Sequence, residues 1–599
     1  MDMKLKYPYL PKGRKILYAS ADNRFMKEAI QVKKSCPCLK QPSGAVVVKD
    51  GKIVAFSEEE RFNHVKHTGS FPTRAINYCL QKGKISSQDI TDVAFYFNPR
   101  RCFKSYFKHN NPLFWLKEPS VFKRKRFYYE LVWLASFTNK IRSIKRILKN
   151  DHLKIHPVDH HLAHAWYGYY ASNFNNCVVI SNDSVGEDIC SLALRFSRNK
   201  KRLLVEKVFE QKDPHSIGYL YGAITELLGY KRGSDDGKIM ALAGFGKGKY
   251  LKYFLNSVEF LDNGKFKLKD NLVLERSFQP KGQRLADEFI KKFGPFRKPN
   301  EDFKQQHYDL VYALQCVVEK IICRQVASIK DQNVVLTGGV GQNSVANGKI
   351  SNLFPKKKIF IPPIPNDAGC SLGSALYFYY QANNCLSDFI ETAFLGEKFS
   401  KNEVKTILKN NQIKYREINN QTEFIAKALA QGKVIAVFRK EMECGPRALG
   451  HRSILANPEK KQMKDHLNNC IKYRENFRPY GGIILDKDTK KVLDYKNEHI
   501  GGKYMSFVYK VKPKWRTKMG ALTHIDNTCR IQILKKNEDP FIENIIRSFT
   551  KITGIPIILN TSFNLRGYPI CRTPREALST FYASGLDYLL FNEDILVSK

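Results

Sequence analysis

The stretch Ala45-Val46-Val47-Val48-Lys49-Asp50-Gly51-Lys52-Ile53-Val54-Ala55-Phe56 sets two apolar runs on either side of a short polar turn. Asp50-Gly51 supplies the positive φ angles that a tight hairpin needs, so the spacing predicts two antiparallel strands. Working outward, residues 43–97 read as hairpin, helix and strand. From 155 to 380, β runs at Cys177-Val178-Val179-Ile180, Ser191-Leu192-Ala193-Leu194 and Val334-Val335-Leu336 alternate with helical patterns at 216–229, 303–330 and 367–380. Such alternation predicts α/β layers. A polar join near 381–400 precedes a region with its own buried strands, Val434-Ile435-Ala436-Val437-Phe438 and Ile555-Pro556-Ile557-Ile558-Leu559. The expectation is an α/β chain of two domains, 1–385 and 400–599.

Charge is the unusual global property: 100 Lys+Arg against 57 Asp+Glu give a formal net charge of +43. Such a field attracts polyanions, whether nucleic acid, an anionic membrane face or phosphorylated substrates. The excess is spread along the whole chain and specifies neither fold nor reaction. Mean hydropathy is −0.41. No apolar run approaches the ~20 residues of a membrane helix, and Met1-Asp2-Met3-Lys4 lacks the apolar core of a secretory leader. A cytoplasmic protein is expected. The 14 cysteines are scattered; the pair Cys36-Pro37-Cys38 has no second pair to complete a zinc site, which reads as reduced structural thiols. The basic aromatic insert 99–150 holds Arg100, Arg101, Lys123, Arg124, Lys125 and Arg126 among Phe107, Trp115, Tyr128 and Trp133. It reads as a helical insert with solvated and aromatic faces, or as a segment that meets a polyanion or the inner membrane face.

Chemistry gathers in three groups. In His160-His161-Leu162-Ala163-His164 the i, i+4 spacing puts two imidazoles on one helix face. There they suit a divalent transition metal, or serve as capping or core histidines. His161 stands where a zincin needs Glu, which excludes that metalloprotease class. Asp183, after the strand at 178–180, and Asp367, just before a helix, could add carboxylates; each alone also reads as a turn or cap residue. Second, Thr337-Gly338-Gly339-Val340-Gly341-Gln342-Asn343 and Gly233-Ser234-Asp235-Asp236-Gly237-Lys238 are glycine turns before helices. They let backbone N–H groups approach a phosphate or ribose, or are simply structural turns. Third, Glu443-Cys444-Gly445-Pro446-Arg447 through Arg452, Lys472-Tyr473-Arg474-Glu475-Asn476-Phe477-Arg478 and His524 through Arg530 concentrate donors suited to phosphate. Arginines set among Gly, Pro and apolar residues imply partly buried charges that need an anion; internal pairing with Glu443 and Glu475 would serve equally. Asn560-Thr561-Ser562-Phe563-Asn564 ends a buried strand, a usual place for ligand contacts.

Together these segments resemble the antibiotic and nodulation-factor O-carbamoyltransferase family. The signatures are Glu58-Glu59-Glu60-Arg61-Phe62 with Lys66-His67, His160-His161-Leu162-Ala163-His164-Ala165, Gly237-Lys238-Ile239-Met240, Thr337-Gly338-Gly339-Val340, Gly445-Pro446-Arg447-Ala448-Leu449-Gly450, Arg474-Glu475-Asn476-Phe477-Arg478-Pro479 and Asn560-Thr561-Ser562-Phe563-Asn564. They run in the family's order. The resemblance implies an actin-like, Hsp70-like ATPase fold (Kae1-like) in the N-terminal domain and a YrdC-like α/β C-terminal domain. It implies that the C-terminal domain makes carbamoyl adenylate from carbamoyl phosphate and ATP, with Mg²⁺ accompanying the nucleotide. Arg447, Arg452, Lys472, Arg478, His524, Arg530, Asn560 and Ser562 would bind these substrates, with Arg447, Lys472, Arg478 and Ser562 catalytic. In the N-terminal domain a divalent metal, iron by analogy, would be held by His160, His164 and Asp367 with Asp183. Lys66, Asp183, Gly338, Gly339 and Asn343 would meet the nucleotide. The acceptor would be a hydroxyl of a sugar, glycan or natural product, with an anionic one favoured by the charge.

The chain departs from the family pattern where a His-Asp pair usually precedes the first strand: here the residues are Leu39-Lys40-Gln41-Pro42-Ser43. That leaves acceptor choice open. Two other readings remain at this level. One is a tRNA-modifying (threonyl)carbamoyltransferase, which the charge favours and the lack of a dedicated RNA-binding module disfavours. The other is a non-catalytic binding protein on the same scaffold.

Overall fold

The hairpin forms where its turn chemistry puts it. Gly44–Lys49 pairs antiparallel with Lys52–Glu58, and Asp50 and Gly51 take φ of 51° and 73°. Helix Thr73–Gly83 packs its buried Ala75 and Cys79 on this hairpin. The computed structural model describes residues 43–101, 139, 141–199, 202–269, 272, 285–495 and 500–599. The expectations for Cys36 and Cys38, for residues 39–42 and for most of the insert 99–150 lie outside the described residues.

A five-stranded mixed sheet follows, in the order Lys358–Phe360, Asn333–Thr337, Asn176–Asn182, Ile189–Arg198, Leu203–Lys212. Only Ile189–Arg198 runs against the others. Asn176–Asn182 is buried on both faces beyond its first residue, which explains its unbroken apolar run where alternation would mark a one-sided strand. Helices His160–Ser172, Ala368–Asn383 and Gln305–Ala327 cover the sheet. The α/β expectation holds for this half, which has a mixed sheet covered by helices.

The second sheet has ten strands, all drawn from residues 416–598. At its centre lie Ile435–Phe438, Arg452–Ala456, Ile557–Ser562, Gly481–Leu485 and Thr528–Leu534. The strand expected from Ile555 begins at Ile557, because Pro556 has no N–H to give the ladder. Helix Pro540–Thr553 shows why local signals suffice here. Asp539 accepts from Ile542 N, proline occupies the first turn, and Gly554 closes the helix in the left-handed region. Its Phe541, Ile542, Ile545, Ile546 and Phe549 form one buried stripe.

Residues 384–400 carry no helix or strand, and the division proposed at 385–400 falls there. The apolar core does not stop at that join: one buried cluster reaches from Val178 and Leu314 to Ile531 and Phe591. Among the described residues no helix is long and apolar enough to cross a membrane.

Candidate functional site

Helix His160–Ser172 begins without a side-chain cap from its own preceding residue. The cap comes from afar: the buried Glu187 carboxylate accepts from His160 N at 3.1 and 3.2 Å and from Asn98 N at 2.8 Å. Helix Ala368–Asn383 lies close beside it, since a Cβ on Gly373 would stand 1.8 Å from the Ala163 carbonyl. That approach brings Asp367, at the start of the second helix, opposite the imidazoles. Asp183 leaves the end of strand Asn176–Asn182 and is held by the Ser184 and Gly339 N–H groups, at 2.6 and 3.2 Å.

The four side chains converge. His160 Nε2 lies 3.7 Å from Asp183 Oδ2 and 3.8 Å from Asp367 Oδ1; His164 Nε2 lies 3.1 and 3.4 Å from the same atoms. All four residues are buried. Ligand bonds of about 2.0–2.2 Å at tetrahedral angles imply donor–donor separations of roughly 3.4 Å, close to these. His160 Nε2 and Asp367 Oδ2 have no hydrogen-bond partner. Two carboxylates and two neutral imidazoles balance one divalent cation, so the residues fit such an ion, and imidazole–carboxylate donors admit several transition metals. Without the ion, burial opposes charge on both histidines, yet Asp183 and Asp367 beside His164, and Cys370, Asp367 and Asp183 beside His160, raise each to about 9. Asp183 titrates well below the usual carboxylate range; burial resists this, and the two imidazoles outweigh it. The Cys370 sulfur also stands within 4.8 Å of a nitrogen of each histidine.

A second site of opposite character lies in the C-terminal region. Arg447 and Arg530 have no hydrogen bond or ion pair from their guanidinium groups among the described residues. Burial and then Arg478 lower Arg447 to about 10; burial and then Arg447, Arg474 and Arg478 push Arg530 well below its usual value. Arg474, stacked over Tyr480 at 4.2 Å, joins them. Lys66 is exposed to solvent, yet desolvation by the surrounding chain lowers its ammonium to about 8, with Glu60 opposing the shift and Arg478, Arg61 and Arg447 adding to it. Arg478 and Arg447 of the C-terminal region thus act on Lys66, which the resemblance groups with the Gly338-Gly339 turn.

The sequence alternative of internal pairing is resolved differently for each acid. Glu443 Oε1 is taken by the N–H groups of Leu449, His451 and Arg452, at 2.8–3.0 Å, and so holds the 443–452 turn without neutralising Arg447. Glu475 is shared among Lys238 at 3.3 Å, Arg566 at 3.4 Å and Arg478 at 3.8 Å. Three residues expected to bind ligand are occupied elsewhere. Arg452 is fully buried over Phe438 and donates to the carbonyls of Arg439, His451, Glu397 and Lys440. Lys472, at the end of the π-helix Leu467–Lys472, gives its Nζ to Ser562 and Asn564. Asn343 caps helix Ser344–Leu353 and bonds to Gln315. Asn560 keeps its Oδ1 and His524 its Nε2 unpartnered and buried. Gly338 packs against Asn182, its would-be Cβ 2.1 Å from the Asn182 carbonyl.

The two regions meet at one peptide. The Gly445 N–H donates to Glu58 Oε2 (3.2 Å), while Arg61 Nη2 donates to the Gly445 carbonyl (2.7 Å) and to Glu58 (2.7 Å). Gly445 has φ of 93°, and a Cβ there would stand 2.3 Å from the Pro363 carbonyl, on the stretch that leads to Asp367. The turn bearing Arg447 therefore touches both the Lys66 loop and the Asp367 loop. The Glu58–Arg61 clasp was quoted from the sequence without a role; three consecutive acids ahead of an arginine were the available signal.

Comparison with known proteins agrees with this two-part layout. The family described as carbamoyltransferase N-terminus matches residues 38–376, and the one described as carbamoyltransferase C-terminus matches residues 426–599. The protein sll1178 of Synechocystis sp. is 31% identical, over 92% of this chain and 94% of its own. The nodulation protein NolNO of Sinorhizobium fredii is 29% identical, over 93% of this chain and 78% of its own. The chain belongs to the carbamoyltransferase family.

Proposed function

We propose that this member of the carbamoyltransferase family makes carbamoyl adenylate in the arginine hollow and delivers the carbamoyl group to a hydroxyl beside the histidine–aspartate cluster. Carbamoyl phosphate and one water give carbamate and phosphate. A carbamate oxygen attacks the α-phosphorus of ATP and displaces pyrophosphate. The acceptor oxygen then attacks the carbamoyl carbon, the bond from that carbon to AMP breaks, and the hydroxyl proton goes to the departing phosphate.

The observation that carries this reading is the unpaired state of Arg447 and Arg530. Half-buried guanidinium groups without counter-charge carry a desolvation cost, and a polyphosphate offsets it. Arg447, Arg478, Arg530 and Lys66 hold phosphates and meet charge that grows as pyrophosphate leaves. Lys472 fixes the Ser562–Asn564 turn, and the free Asn560 Oδ1 faces a donor on the ligand. His160, His164, Asp183 and Asp367 would hold a divalent ion, which would supply Lewis-acid chemistry there. The buried cluster keeps water from the mixed anhydride.

The test is carbamoyl-phosphate-dependent exchange of labelled pyrophosphate into ATP. The wild type should exchange, and Arg447→Ala should lose about 10²–10³-fold, the usual cost of one preorganised donor. Exchange unaffected by Arg447→Ala would remove this site.

A further inference from the structure

A second hollow adjoins the histidine cluster from the hairpin side, and its wall reverses the charge of the chain. It encloses about 520 Å³ between strand Gly44–Lys49, helix Thr73–Gly83, strand Asp92–Phe95 and helix Ala368–Asn383, and His160 forms part of its wall. Ile76, Leu80, Phe95, Ile144 and Phe378 give it an apolar lining. Its charged lining residues among those described are Asp50, Asp89 and Asp92, with no lysine or arginine. The whole chain has 100 basic against 57 acidic side chains, so a wall without cations is a local exception. Two of these acids are already engaged: Asp89 accepts from Ser86 N at 2.9 Å, and Asp92 pairs with His156 at 2.6 Å.

An anion entering this hollow would shed its hydration and find carboxylates and hydrocarbon in place of counter-charge. A neutral amphiphile would lose little and bury apolar area. We infer that this hollow seats the acceptor and that the acceptor is a neutral hydroxyl compound with an apolar portion. Its hydroxyl end lies toward His160, and its apolar body lies against Ile76, Leu80, Phe95 and Phe378. The inference rests on the transfer reading above and reverses the anionic preference drawn from bulk charge: whatever the charge elsewhere, the acceptor meets a surface without lysine or arginine.

The test compares octyl glucoside with octyl phosphate on the full chain by calorimetry, both below micelle formation. The glucoside should bind at least about tenfold more tightly. Ala375→Trp fills the hollow, and Ile76→Trp fills it from the opposite wall; melting curves check that each folds. Either folded variant should weaken glucoside binding by about tenfold or more. Equal or tighter binding of octyl phosphate, binding of neither probe, or glucoside binding untouched in a folded filling variant would overturn the inference. Should both variants fail to fold, the order of the two probes on the wild type decides. Glucoside binding in a chain that lacks pyrophosphate exchange would break the transfer reading and leave the hollow's preference standing. Exchange without glucoside binding would do the reverse.

Discussion

The histidine–aspartate cluster is buried and the arginine group is half-buried; both are polar, and they are unbalanced in opposite senses. In the cluster, opposite charges face one another at 3.1–3.8 Å, and two imidazole protons can be exchanged for one cation. In the arginine group, Arg447 and Arg530 have no acid of their own, Glu475 serves Arg478 at 3.8 Å, and Arg447, Arg474 and Arg478 all oppose the charge on Arg530. On the proposed reading one place receives a cation and the other an anion. Each carries its cost in the empty state, which is how a site stores binding energy for its ligand. The Glu58–Arg61 grip on Gly445 joins the two.

The sharpest contrast is between two arginines five residues apart. Arg452→Met would orphan the Arg439 carbonyl, while those of His451 and Glu397 keep the N–H groups of Arg439 and Met442, and should destabilise the chain by about 1–3 kcal/mol in denaturant unfolding, the cost of one orphaned buried group. Arg447→Met removes an unpaired cation and should leave stability unchanged or slightly raised. Equal losses would mean that Arg447 is a structural residue and that the hollow is not an anion site.

A smaller effect follows from Lys66. Its ammonium titrates near 8 in the anion-free protein, below its ordinary value of 10.5, because desolvation disfavours the charge and Arg478, Arg61 and Arg447 add to that effect against Glu60. The folded state therefore holds fewer protons than the unfolded state between those values. Its penalty is complete below pH 8 and fades toward 10.5, so this group's contribution to stability rises with pH across that window. A bound polyphosphate favours the charged form. Pyrophosphate affinity should be greatest below about pH 8 and fall as pH passes through it. Lys66→Met should flatten that limb; an unaltered profile would place Lys66 outside the hollow.

Much of this was legible in the sequence, and the exceptions share a cause. The Asp50-Gly51 turn, the i, i+4 histidines and the aspartate ahead of the helix at 368 are local patterns, and local geometry sufficed to place them. Side-chain direction in the C-terminal sheet was not legible. Pairing of Phe438 with Arg452 lays the guanidinium over the ring and beside neighbouring carbonyls, and that pairing is not written in the residues around Arg452. The π-helix that turns Lys472 inward leaves no local mark either. Arg61 and Gly445 meet across 384 positions, so the shared wall between the sites, and with it the location of Lys66, became visible only once the chain was folded.

The most direct test separates the two regions in one protein. His164→Ala removes a cluster ligand and leaves the arginine hollow intact. Carbamoyl-phosphate-dependent pyrophosphate exchange should continue near the wild-type rate, while formation of carbamoylated acceptor falls by about three decades. That fall corresponds to several kcal/mol of lost metal assistance at ~1.4 kcal/mol per decade. Loss of exchange together with transfer, or transfer that survives the substitution, would contradict the division of labour between the two sites.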